Sequence, residues 1–356
     1  MTDLNENRIF SFSDGCWEAL SGAGSREAAQ IGRRLAGSFR RIHMGCDQFS
    51  QLHLLYALCS GASERGSEVW LCENTDLPSL RFGGRITGAD CTVFVHGNGL
   101  RLLIFGRDGF PLPSENLREI ASSQADRPSK EPGAIRSVTS FKNIYVSNIA
   151  DNAGGRRASL SAGISCGSRS VRSLWLEFFT GSDDELVFQI SEEGMRVNAY
   201  SSRIGFISGE KLTIAYACQV AARGETVWLP EEIHFAADSL KGDIRRFPED
   251  SVPPAAAAQR FLTDPLFMCV ELASDRERLL RTVSELPGMA TVRREVALQP
   301  GASLSGRTEL SAENGRIIAQ PSGRGRILVI AQSASMEAAS ELCADWCQRL
   351  RRAPSK

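Results

Sequence analysis

The chain has 356 residues, of which 42% are hydrophobic and 23% are charged, so it can bury a sizeable core and is long enough for two or more domains. Its formal net charge of −1 argues against a polyanionic partner such as nucleic acid. No apolar run approaches the length of a membrane span, and the N-terminal "MTDLNENRIF" lacks the basic start and apolar core of a signal peptide. We therefore expect a cytoplasmic protein.

The first predicted elements alternate between strand and helix. A short apolar strand, "IHMG", precedes a helix in "SQLHLLYALCSGASERG" and a strand in "EVWLC". Leu52, Leu55, Cys59 and Ala62 share one helical face, and Gly66 provides a left-handed stop. A further helix, "LPSLRFGGRITG", leads to the strand "CTVFV". This alternation predicts a mainly parallel sheet.

The stretch "ADCTVFVHGNGLRLLIFGRDGFPL", residues 89–112, predicts two strands, each followed by a glycine-containing turn. His96 in the first turn is a candidate general base or, alternatively, a solvated turn residue. Asp108 and Gly109 in the second turn are typical of a turn signal.

Composition changes divide the rest of the chain. The polar segment "SSQADRPSKEPG", residues 122–133, predicts a domain boundary. A second α/β unit then runs through "ASLSAGISCG", the helix "RSVRSLWLEFFTG", the strand "ELVFQI" and "EKLTIAYACQVAARG" into "TVWLP". The stretch "FPEDSVPPAAAAQ" is typical of a linker or a shortened region.

The C-terminal region predicts a small α+β domain. In "GRIIAQPSGRGRILVIAQS" a glycine-rich turn separates two strands, and "SMEAASELCADWCQRL" forms a helix with Ser335 as its N-cap. The predicted buried face of this helix comprises Met336, Ala339, Leu342, Cys343, Trp346 and Leu350.

The ten cysteines lie in apolar segments, and no pair has the C-x-x-C spacing of a zinc or redox site. Cys343 and Cys347, one helical turn apart, lack nearby His or Cys partners for a metal. We expect the cysteines to be reduced core residues.

Taken in order, these segments resemble the α-D-phosphohexomutases, the family of phosphoglucomutase, phosphomannomutase and phosphoglucosamine mutase. "IHMGCDQFSQ" resembles the family's "VVGRDTRxSS", and "ASERGSEVWLCENTDLPSLRF" resembles "LxxxGxEVYLxGxxPTPxLSF". The resemblance implies an α/β fold of three mixed-sheet domains, the second and third shortened, plus a small C-terminal α+β domain. The domains are expected at 1–127, 134–225, 226–295 and 296–356.

Residues 89–112 resemble the family's "ITASHNPxxxNGIKxFxxDG", whose serine carries the transferable phosphate. His96 matches the motif's histidine, and Val95 takes the serine's position in a degenerate loop that continues through Gly97 and Asn98. Because a valine has no lone pair to phosphorylate, we expect no catalytic residue here.

The family's Mg²⁺-binding "DxGDADR" motif resembles "SEEGMRV". Ser191, Glu193 and Met195 replace the three aspartates, and a thioether is a poor ligand for Mg²⁺, so we expect this cofactor to be lost. Glu192, Glu193 and Glu210 could instead recruit a cation, although a solvated hairpin also explains them. The family's sugar-selecting "GExSG" loop has no counterpart between residues 226 and 297.

The family's phosphate-binding "RPSGTEPK" loop resembles "QPSGRGR", residues 320–326. Ser322 and Gly323 match, and Arg324 and Arg326 supply positive charge that is lost at Gln320. Backbone amides and two guanidiniums could form an anion site, or the segment could be a basic surface hairpin.

Three functions remain open at this point. The first is an inactive phosphohexomutase-fold protein of carbohydrate or cell-envelope metabolism, which binds a phosphorylated ligand such as a phosphosugar, or a partner. The resemblance implies that residues 1–127 would carry self-association or a hetero-partner. The second is a divergent active mutase, and the third is an unrelated enzyme on the same scaffold.

Overall fold

The computed structural model describes residues 10–13, 15–19, 24–97, 99–123, 129–152, 160–248, 251–297, 306–312, 315–323 and 326–352. The chain forms two compact units, Met1–Phe206 with Ala257–Asp275, and Ile207–Ala256 with Arg276–Lys356. The finer division into four domains remains a prediction.

The strands are β1 Phe10–Ser13, β2 Cys16–Ala19, β3 Arg41–Cys46, β4 Glu68–Cys72, β5 Cys91–Val95, β6 Arg101–Gly106, β7 Ile135–Ser137, β8 Leu160–Cys166, β9 Phe179–Gly181, β10 Leu186–Ile190, β11 Val197–Ser201, β12 Gly205–Ile207, β13 Val227–Pro230, β14 Ile244–Phe247, β15 Ala290–Ala297, β16 Thr308–Ala312, β17 Gly315–Gly323 and β18 Arg326–Ser333. The helices are α1 Ser25–Ser38, α2 Leu52–Glu64, α3 Leu77–Thr87, α4 Ser114–Ser122, α5 Lys142–Asn152, α6 Arg169–Trp175, α7 Gly209–Ala222, α8 Pro254–Ala257, α9 Pro265–Ser274, α10 Arg276–Glu285 and α11 Met336–Arg352.

The first unit contains a seven-stranded sheet in the order β1-β2-β6-β5-β3-β4-β7. Strands β5, β3, β4 and β7 pair in parallel, as the β-α-β alternation predicts. The hairpin of β5 and β6 then adds an antiparallel side with β2 and β1, so the sheet is mixed rather than mainly parallel. The hairpin connection explains the antiparallel pairing of β5 with β6, and β6–β2 and β2–β1 are further antiparallel pairs.

Local capping explains why α3 begins and ends where it does. The carboxylate of Asp76 accepts a hydrogen bond from the Ser79 N–H at 2.8 Å, and Pro78 occupies the first helical turn. Gly88 ends the helix with a φ of 68°, which a residue with a side chain rarely adopts. The predicted helix at this position is confirmed.

A five-stranded sheet in the order β12-β11-β10-β8-β9 follows. The predicted helix "RSVRSLWLEFFTG" is wrong in its second half, because α6 ends at Trp175 and Phe179 begins β9. Phe178 and Phe179 are fully buried, and the ring of Phe179 stacks on that of Trp175 at 5.7 Å. Pairing with β8 and aromatic packing therefore outweigh the local helical pattern.

The second unit contains the parallel pair β13 and β14 and an antiparallel four-stranded sheet in the order β15-β18-β17-β16. Helix α11 packs on this last sheet, and Ser335 Oγ accepts a hydrogen bond from the Ala338 N–H at 3.2 Å, so the predicted N-cap is confirmed. Cys343 is fully buried as expected, but Met336 is 60% exposed and its predicted place on the buried face is wrong. Met336 is the first helical residue, before the turns that contact the sheet.

Eight of the ten cysteines are buried, which confirms their predicted place as mainly core residues. Of the described helices, none combines the length and the apolar character required to cross a membrane.

Candidate functional site

Strand β5 ends at Val95, whose side chain is fully buried in the main hydrophobic cluster of the first unit. Val95 pairs with Cys46 of β3 on one side and with Leu102 of β6 on the other. The position that the resemblance assigns to the phosphate-carrying serine therefore directs its side chain into the core.

The next residue, His96, is only 7% exposed, so the alternative of a solvated turn histidine is wrong. Its N–H donates to the Arg101 carbonyl at 2.9 Å, while its Nδ1 is buried and has no hydrogen-bond partner among the described residues. Gly97 has a φ of 74°, and its carbonyl accepts a hydrogen bond from the side-chain amide of Gln51. Asn98 lies outside the described residues.

Asp47, directly after β3, interacts electrostatically with His96. Burial raises the pKa of Asp47, the neighbouring His96 lowers it, and the negative charge of Glu192 raises it further. The Oδ1 atom of Asp47 is buried and is not hydrogen-bonded within the described part of the chain. The carboxylate of Asp47 and the imidazole of His96 are thus each incompletely hydrogen-bonded among the described residues.

Residues 191–196 form the turn between β10 and β11. The Arg196 N–H donates to Ser191 Oγ at 3.0 Å, and the Arg196 guanidinium donates to the Glu193 carboxylate at 3.2 Å. Gly194, with a φ of 78°, packs closely against Pro78 and Val171. The resemblance assigns metal ligands to three positions of this turn. At two of them, Ser191 and Glu193, a side-chain oxygen therefore accepts a hydrogen bond from within the turn.

The third of these positions, Met195, contacts a cation. Nη1 of Arg81 lies 2.9 Å from the Met195 sulfur, and the Met195 side chain packs against the hydrophobic cluster around Phe105. The Arg81 guanidinium also donates to the carbonyls of Thr263, at 2.8 Å, and of Gly109. A single side chain of α3 thus joins the 191–196 turn, the turn after β6 and the segment before α9.

Sequence reasoning did not identify Arg81 as a site residue. One signal was available, since "LPSLRFGG" places an arginine near Leu77 and Gly84 on the side of α3 that is buried. A charged side chain on an apolar helix face usually has a specific partner.

No group of three or more His, Cys, Asp or Glu side chains could hold a metal ion in the part of the chain that the structure describes. Glu210, one of the alternative cation ligands, instead accepts hydrogen bonds within the second unit. Its donors are the His234 N–H at 2.7 Å and the Thr291 hydroxyl at 3.1 Å.

The predicted phosphate-binding segment lies in the hairpin of β17 and β18, where Gly323 pairs with Arg326. The Arg326 guanidinium is 63% exposed and lies 3.1 Å from the Glu295 carboxylate. Arg324 and the side chain of Ser322 lie outside the described part of the structure. The structure therefore describes one of the two arginines of the proposed anion site.

The fold and the arrangement of these turns define a protein of the phosphohexomutase fold. The structure matches a phosphoglucomutase/phosphomannomutase family protein from Burkholderia thailandensis with a TM-score of 0.67, 13% identity and 98% coverage of both chains. It matches a protein from Thermus thermophilus that is assigned as a phosphomannomutase with a TM-score of 0.61, 14% identity and coverage of 96% of this chain and 98% of that one.

A third solved structure is an N-acetylphosphoglucosamine mutase from Aspergillus fumigatus in complex with glucose 1,6-bisphosphate. Its TM-score is 0.50, with 12% identity and coverage of 97% of this chain and 96% of that one. No sequence model of a known family matches the chain, and no curated protein sequence matches it significantly. At these identities the structural likeness establishes the fold, while activity has to be argued from the site.

Proposed function

We propose that this protein keeps the phosphohexomutase fold without mutase catalysis and binds a phosphorylated sugar. The observation that carries the proposal is the buried side chain of Val95 at the position of the phosphate carrier. Mutase chemistry of the phosphoserine type needs a nucleophilic oxygen that reaches the substrate. Val95 offers neither the oxygen nor an exposed position.

The 191–196 turn supports the same proposal, because its residues do not fit Mg²⁺. Magnesium prefers oxygen ligands in octahedral geometry. Here Ser191 and Glu193 accept hydrogen bonds from Arg196, and Met195 offers sulfur in contact with the Arg81 guanidinium. A fixed cation at this position would repel a divalent metal ion. We therefore include independence from Mg²⁺ in the proposal.

For the ligand, we propose an anion site in the 320–326 segment that binds the phosphate group. The exposed charge of Arg326 makes a surface ion pair with Glu295, which a phosphate dianion could replace. Glucose 1,6-bisphosphate in the Aspergillus fumigatus structure is an example of a ligand that this fold accommodates.

A thermal-shift panel of sugar phosphates and nucleotide sugars, with and without Mg²⁺, tests the proposal. Binding to the native state raises the melting temperature, by the equivalent of about 2.7 kcal/mol when the ligand is at 100 times its Kd. We expect a sugar phosphate to raise the melting temperature equally with and without Mg²⁺. A shift that requires Mg²⁺ would contradict the proposal, as would no shift with any sugar phosphate.

The double variant Arg324→Ala, Arg326→Ala locates the anion site. We expect it to abolish the phosphate-dependent shift while the unliganded melting temperature stays at the wild-type value. The single variant Arg349→Ala, which removes another exposed guanidinium of the second unit, is the matched control and should keep the shift. If the double variant binds as wild type does, the phosphate site lies elsewhere.

A protein partner remains a prediction from the resemblance, with residues 1–127 as its contact surface. Size-exclusion chromatography with light scattering measures self-association directly. A strict monomer would contradict the homo-oligomer prediction.

A further inference from the structure

A cavity of about 410 Å³ lies beside α3 in the first compact unit. Its walls are one face of α3, the residues of α5 opposite, and the segment 258–265, which leads into α9. Its volume is in the range of sites that bind small molecules. It includes Met195 but no other residue that the resemblance assigns to a site. We refer to it as the arginine cavity.

The charged lining of the arginine cavity is mainly cationic. Arg81, Arg85 and Arg260 contribute three guanidiniums, against the single carboxylate of Asp264. That carboxylate accepts hydrogen bonds from the Tyr145 hydroxyl at 2.6 Å and from Arg260 Nε at 2.7 Å. Asp264 is therefore the direct counter-ion of Arg260, and the described residues provide no ion pair for Arg81 or Arg85.

Arg81 is a buried cation whose acceptors are all neutral. Only 6% of its surface is exposed, and it donates to two backbone carbonyls and to the Met195 sulfur. Its Nε is buried and has no hydrogen-bond partner among the described residues. Burial lowers the pKa of Arg81 to about 10, so it remains protonated at neutral pH. The nearby Asp264 charge offsets part of the cost of burying Arg81, and an anion in the cavity would reduce the remaining cost.

Arg260 also has an unpartnered donor among the described residues, although Asp264 is its counter-ion. Its guanidinium lies 4.5 Å from the Phe267 ring centre, and its Nη2 is buried with no partner in the part of the chain that the structure describes. Arg85 makes only long contacts, 3.5 Å to the Thr263 hydroxyl and 3.4 Å to the Ala257 carbonyl. Arg81 and Arg260 thus each have a buried donor without a partner among the described residues, and Arg85 makes only two long hydrogen bonds.

We propose that the arginine cavity binds a small organic anion that carries a carboxylate or a phosphate ester. The oxyanion accepts hydrogen bonds from the free N–H groups of Arg81 and Arg260, with Arg85 at the rim. Guanidiniums bind such oxygens through strong, charge-assisted hydrogen bonds. Phe82 and Ile86, which also line the cavity, contact the apolar part of the ligand. All the residues that line the arginine cavity belong to the first compact unit.

Isothermal titration calorimetry with benzoate and with phenyl phosphate tests this proposal and distinguishes the two oxyanions. The uncharged benzamide has the same ring without the anion.

A pair of variants at Ile86 tests whether the cavity is the binding site. Ile86 is 52% exposed, so Ile86→Glu adds a negative charge at the cavity without disturbing the core, and Ile86→Gln is its uncharged match. We expect saturable binding of at least one anion, no binding of benzamide, and at least about tenfold weaker anion binding by Ile86→Glu than by Ile86→Gln.

Two further variants complete the test. Arg85→Ala should weaken anion binding, whereas Arg349→Ala, which removes an exposed guanidinium of the other unit, should leave it unchanged. The proposal is overturned if neither anion binds up to about 10 mM, if benzamide binds as well as the anions, or if Ile86→Glu and Ile86→Gln bind equally. Loss of binding in Arg349→Ala alone would assign the signal to the second unit and would also overturn it.

Discussion

The side chain of Val95 packs among buried residues of β3, β5 and β6, so its environment favours an apolar group. Sequence comparison with the family motif identified the residue type at this position. The motif comparison could not show whether this side chain is buried or exposed. If β5 had ended one residue earlier, Val95 could have been exposed in the turn.

We predict that Val95→Ser gives no mutase activity. The serine hydroxyl would be buried in an apolar environment. Together with the loss of the valine methyl groups, this would lower the free energy of unfolding by about 2 kcal/mol. Val93→Ser is the matched control, since Val93 is equally buried in the same strand. Urea unfolding should give similar losses for both variants. Activity in Val95→Ser alone would show that this side chain can reach substrate.

His43 gives a pH-dependent prediction. It is fully buried in β3, its Nε2 lies 2.9 Å from the Thr87 hydroxyl, and burial followed by the charge of Arg41 lowers its pKa to about 4. In the unfolded chain His43 is protonated near pH 6.5, whereas in the native state it stays neutral down to about pH 4. The free energy of unfolding therefore falls as the pH drops from about 6.5 to about 4.

We predict that, between pH 7.5 and pH 5, wild type loses about 2 kcal/mol more unfolding free energy than His43→Gln does. His53→Gln is the control, because His53 is exposed, and it should keep the wild-type pH dependence. Urea titrations at both pH values measure the difference. Equal pH dependence in His43→Gln and wild type would contradict the assignment to His43.

At the scale of elements, predictions that rested on local chemistry agree with the structure. The stop at Gly66 and the N-cap at Ser335 are examples, because their geometry depends on a few neighbouring residues. Phe179 was predicted to be helical but lies in β9. This strand depends on pairing with β8, which the local sequence pattern does not show. The exposure of Met336 likewise depends on where the sheet under α11 ends.

The crossing of α1 and α2 yields a test of packing. An added Cβ at Gly32 would meet the Leu58 carbonyl of α2, whereas Gly37 of the same helix has nothing within 4 Å. We predict that Gly32→Ala lowers the free energy of unfolding by about 2 kcal/mol or more. Gly37→Ala should raise it by up to about 1 kcal/mol. Chemical denaturation of both variants measures this, and an unchanged Gly32→Ala would mean that the helices are not in backbone contact.

At the scale of the whole molecule, the order of weak motifs predicted the fold that the solved structures share with this chain. The contacts of Arg81 could not be predicted in the same way, because Met195 and Thr263 lie far from it in sequence. Contacts between residues so far apart in sequence can be identified only in the folded structure.

The central claim is that a mutase scaffold has lost its catalysis, and a coupled assay of purified protein tests it most directly. The substrates are glucose 1-phosphate, mannose 1-phosphate and glucosamine 1-phosphate, with Mg²⁺ and a priming sugar bisphosphate, at high protein concentration. We predict no turnover above the protein-free rate, because phosphoryl transfer of this kind requires the carrier and the metal together. Turnover of any of these substrates at roughly 1 to 1,000 per second would contradict the account.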